Sequence, residues 1–88
     1  MSSISKDQER RRAIMLTVVQ DQVDSPESPE VRVEFDRLRA LGHSDQQARE
    51  LIAIVLAGYI WHQMKGDGYG YRDYVAELKR LPVHDYSD

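Results

Sequence analysis

The chain has no cysteine. That excludes disulfides, thiolate zinc sites and thiol nucleophiles together, and because small secreted domains commonly need such staples, it points to a reducing compartment. Excess positive charge is lacking too: fifteen acids stand against twelve bases, with a pI near 5.5. Binding to a phosphate backbone needs the opposite balance, so nucleic acid is not an expected partner. No apolar run is long enough for a membrane span of about 20 residues, since the longest uncharged stretch, Leu51 to Met64, has the length of a buried core helix. The first nine residues, Met1 to Glu9, carry no apolar core of a secretory signal. A cytoplasmic protein is the expectation.

Proline is scarce, and Pro26, Pro29 and Pro82 all stand where a helix would begin or end. Period-two alternation is missing, which removes half-buried strands, and there is no internal repeat. What is present is helical periodicity, and it predicts an all-α, mainly antiparallel, four-helix bundle-like single domain of 88 residues. Ser5 with Gln8 reads as a capping box opening a first helix over about 5–23, with Ile14, Met15, Val18, Val19 and Val23 on its inner stripe. Ser28-Pro29-Glu30 opens a second over 29–41, with Val31, Phe35, Leu38 and Leu41 facing inward and Gly42 able to supply a left-handed end. Ser44 with Gln47 caps a third over 45–65, stopped by Gly66. A fourth covers 71–81, with Tyr71, Tyr74, Val75, Leu78 and Leu81 on one face, and the tail 83–88 is expected to fray.

The third helix carries two apolar stripes. Ala48, Leu51, Ile52, Val55, Leu56, Tyr59 and Ile60 make one wide enough to be the core. Ile54, Ala57, Trp61 and Met64 make a second, spaced like the seam of coiled-coil packing. Four-helix domains commonly surround such a helix, which would bury both stripes; otherwise the second is a seam for another copy or a partner. Gly58 bears on the choice, because an interior glycine costs about 0.5–1 kcal/mol against alanine and is tolerated where another backbone comes close.

Catalytic and metal signatures are missing. No Glu-x-x-His pair of a di-iron bundle is present, and His43, His62 and His84 lack ligand spacing. There is no nucleophile elbow. Gly66-Asp67-Gly68-Tyr69-Gly70-Tyr71 is glycine-rich but follows no strand, so it reads as a flexible loop rather than a phosphate cradle. Lys6, Arg10, Arg11 and Arg12 form a basic cluster diluted by Asp7 and Glu9, the pattern of a solvated helix face.

Gln20-x-Gln22, Ser28-Pro29-Glu30-Val31, Asp36-Arg37-Leu38 with Leu41-Gly42, Gln47-Ala48, Ile60-Trp61 and Tyr74-Val75-x-x-Leu78-x-x-Leu81 together resemble an uncharacterised bacterial family of small helical domains of unknown function. The resemblance covers about residues 13 to 81. It implies an all-helical fold and no activity. Members of that family carry histidines at positions aligning with about Leu16 and Glu50, which would imply a polar or metal site in the relatives that this chain lacks.

The expectation is therefore a non-enzymatic protein–protein interaction module, without cofactor or metal, that associates with a protein partner or with itself as a homodimer through helix three. Its candidate contact residues are Ile54, Ala57, Trp61, Met64, Tyr69 and Tyr71. The alternative is a small-molecule or metal-binding domain with a pocket between helices three and four, lined by Tyr59, His62 and Tyr74.

Overall fold

The computed structural model describes residues 3–82. Within them lie four helices, α1 (Ser3–Asp24), α2 (Pro29–Ala40), α3 (Asp45–Lys65) and α4 (Tyr71–Arg80), and the fold is all-α. The expected fraying of 83–88 lies outside the described residues. α1 begins two residues before the expected cap, so position 5 is inside the helix and is not its N-cap.

Two of the other expected ends are local chemistry at work. Ser44 Oγ accepts the Gln47 N–H at 3.1 Å while Gln47 Oε1 accepts the Ser44 N–H at 3.0 Å, a reciprocal cap that satisfies two first-turn donors. Gly66 takes the left-handed conformation, φ 68°, and closes α3. Ser28 departs from expectation. It holds the N-cap position of α2, but its φ/ψ of −129°/57° lie outside the extended region from which a cap hydroxyl reaches back, and its side chain makes no capping bond. At the other end of α2 the helix stops at Ala40, which drops Leu41 off the inner stripe and leaves it exposed.

α3 is the spine. Its 21 residues span roughly 30 Å at 1.5 Å per residue, most of the 38 Å long dimension of the molecule. α1 and α4 each pack on both α2 and α3, and their own backbones do not meet. One core joins all four helices: Val19 and Val23 of α1, Val31, Phe35 and Leu38 of α2, Ala48, Ile52, Val55 and Leu56 of α3, and Tyr74 and Leu78 of α4 with Leu81 just beyond it. The wide stripe of α3 thus supplies the core, while on α1 Ile14 faces away from it.

Two polar links tie the outer helices in. The fully buried Tyr74 hydroxyl donates to Gln22 Oε1 at 2.6 Å, bridging α4 to α1 where their backbones do not touch. Burial pushes the Tyr74 phenol well above its ordinary range. Glu34, buried on α2, receives Arg37 Nε at 2.6 Å, and the same guanidinium donates from Nη2 to the carbonyl oxygens of Leu78 at 3.1 Å and Lys79 at 3.3 Å. Arg37 thereby neutralises a buried acid and satisfies carbonyls that the end of α4 leaves unpaired.

Candidate functional site: an uncovered face of helix three

The second stripe of α3 is not covered. Ile54 is 43% exposed, Trp61 55% and Met64 80%, and Ala57 between them is exposed as well. The expectation that neighbouring helices would bury both stripes is corrected on this point, for a geometric reason. α1, α2 and α4 all pack on the wide stripe or its flanks, and no fifth helix is left among the described residues to close the far side.

Beside this face lies a groove of about 280 Å³ between α1 and α3. Met15 and Leu16 form its α1 wall, and Ala53, Ile54 and Ala57 its α3 wall. The small side chains of Ala53 and Ala57 leave the space that larger residues would fill. Arg12 and Glu50, also on the lining, are joined across the two helices in an ion pair, and Glu50 accepts in addition from Gln46 Nε2 at 2.8 Å. Leu16 and Glu50, one on each helix, put an aliphatic chain and a carboxylate on the same groove. Ala53 is one of the small α3 residues expected to permit a close approach, whereas sequence periodicity did not single out Leu16 or Glu50, because a groove is made by two helices and leaves no mark on either one alone.

Trp61 stands at the other end of the stripe. Lys65 Nζ lies 4.1 Å from the centroid of its ring, a cation–π contact, and the His62 ring meets it edge-on at 5.2 Å. Gly58, between Ala57 and Trp61, has open space where a Cβ would project. Among the described residues no neighbour requires a glycine there.

The six candidate contact residues therefore separate. Ile54, Ala57, Trp61 and Met64 share the exposed face. Tyr69 does not join it: its ring stacks on His62 at 4.1 Å, and its carbonyl oxygen accepts from Gln63 Nε2. Tyr71 lies on the α2–α4 side, where its hydroxyl donates to Glu30 Oε1 at 2.8 Å; burial first, then the Glu30 carboxylate, pushes its phenol upward. The glycine-rich segment after α3 is pinned rather than loose. Asp67 Oδ1 accepts the Tyr69 N–H at 3.3 Å while Oδ2 lies 2.7 Å from His62 Nδ1, and that hydrogen bond is the main reason the Asp67 carboxyl sits below its usual range.

Where a pocket between α3 and α4 was the alternative, rings meet rings. Tyr59 stacks on Tyr74 at 4.9 Å, and Tyr69 packs against both Tyr59, at 6.1 Å, and His62. Among the described residues no three His, Cys, Asp or Glu side chains are grouped to hold a metal ion, and no helix is long and apolar enough to cross a membrane. Neither a family model, nor a curated protein, nor a solved structure matches this chain.

Proposed function

We propose that the chain is a non-catalytic protein-interaction module that binds its partner through the uncovered face of α3. The observation that supports this most directly is the joint exposure of Ile54, Trp61 and Met64 on one helix face beside an apolar groove. Scattered exposed apolar residues are ordinary on a protein surface, whereas a contiguous patch of them marks an interaction site. Fully burying one such side chain contributes roughly 1.5–3 kcal/mol, and tryptophan is enriched among the few residues that dominate interfaces. A cytoplasmic setting belongs to the same proposal and is supported by the cysteine-free composition. The ring-on-ring contacts between α3 and α4 favour this reading over a ligand pocket there.

Trp61→Glu is the discriminating variant. Because the indole is more than half exposed, the isolated chain keeps its helical spectrum and loses no more than about 1 kcal/mol of stability, on the order of one cation–π contact. A photo-crosslinker placed at Met64 in the native host gives a protein adduct, of this chain or another, that disappears when Trp61→Glu is added. No adduct at any expression level overturns the proposal, and so does an adduct indifferent to Trp61→Glu.

A further inference from the structure

We infer that the partner is a second copy of this chain, docked so that two α3 helices run antiparallel across a two-fold axis between Ala57 and Gly58. The inference rests on the docking role proposed for the α3 face and names its occupant. Three features of the face are self-complementary in this one register. At the axis, Ala57 of one copy lies opposite Gly58 of the other, and these are the residues that let two helix backbones come close; among the described residues no other element comes within 4 Å of the missing Gly58 side chain. One turn outward, Trp61 lies opposite the second copy's position 54, at the mouth of the groove walled by Met15, Leu16, Ala53 and Ala57. A projecting indole on each copy thus meets an apolar hollow on the other, as a two-fold interface requires.

Charge follows the same register. Glu50 and Lys65 lie at opposite ends of the exposed face, and the two-fold operation sets each beside its opposite number on the other copy. Both ends already sit in local networks, Glu50 with Arg12 and Gln46 and Lys65 with Trp61 and, at 3.9 Å, Asp67, and the facing pair joins the two. A parallel pairing would put Glu50 beside Glu50 and Lys65 beside Lys65, which like charges oppose. The face also contains no other charged residue between those two, leaving nothing to bury unpaired at its centre.

The absence of native cysteine permits a direct test of both occupant and register. Glu50→Cys and Lys65→Cys proteins are prepared separately and treated with a short bis-maleimide alone and as a mixture, while the unmodified chain is sedimented over a wide concentration range. The expected result is a concentration-dependent dimer mass, with the mixed 50–65 link the dominant product and the two self-links minor. In this register the two copies of position 50 are roughly 22 Å apart along the helix axis, beyond the reagent. Adding Trp61→Ala to both proteins should reduce the mixed link at least tenfold. Dominant self-links overturn the antiparallel register. A monomer at all concentrations, with no links, overturns the second copy as occupant; a Met64 adduct to a different protein in the host would then leave the docking role standing, and its absence would remove both.

Discussion

Among single residues, the buried hydrogen-bonding side chains carry the sharpest consequences. Tyr74→Phe leaves Gln22 Oε1 facing protein without its donor and should cost about 1–2 kcal/mol in a denaturant titration. The same phenol sets an alkaline limit. Its folded-state value is raised, so the stability it contributes is complete below the unfolded tyrosine value of about 10 and is lost as pH rises above that toward the folded value. Melting followed from pH 8 to 11 should show a fall above about pH 10 that is shallower in Tyr74→Phe. Arg37→Ala should be the more damaging change, at about 2–4 kcal/mol, because it strands the Glu34 carboxylate, whose side chain is only 6% exposed, and frees two carbonyls at the end of α4. If Arg37→Ala melts like the parent, neither the buried pair within α2 nor the Arg37 bridge to the end of α4 contributes to stability. Neither link was legible in the sequence, since Gln22 to Tyr74 and Arg37 to Leu78 are contacts between residues far apart along the chain.

At the level of elements, legibility followed how local the determining chemistry is. The ends of α3 could be read because Ser44–Gln47 and Gly66 act within one turn of themselves. The start of α2 was placed by Pro29, yet the Ser28 hydroxyl expected to cap it does not, since backbone direction at that residue is set by the turn from Ser25 as well as by its own identity. The wide stripe of α3 was recognisable as core from its spacing. Whether anything covered the narrower stripe was not, because periodicity reports that a face is apolar and is silent on what packs against it. Gly58→Ala tests the element directly. With no atom in the way, the added methyl should stabilise the separated chain by about 0.5–1 kcal/mol, measured at concentrations low enough for the monomer, while weakening association by spreading the crossing helices. A variant that associates more tightly than the parent would show that no backbone approaches at that position.

For the whole molecule, 88 residues bury only a modest share of their unfolded surface, so burial gained by pairing is a sizeable addition to a small total. The melting temperature should therefore rise with protein concentration in the parent and stay constant in Trp61→Glu, checked by calorimetry across a hundredfold dilution. The protein has one tryptophan, and it sits outside the core. Its fluorescence is consequently a built-in optical gauge that ignores the interior and watches a single patch of the exterior, so a blue-shifted emission would register the loss of water from that patch without any label.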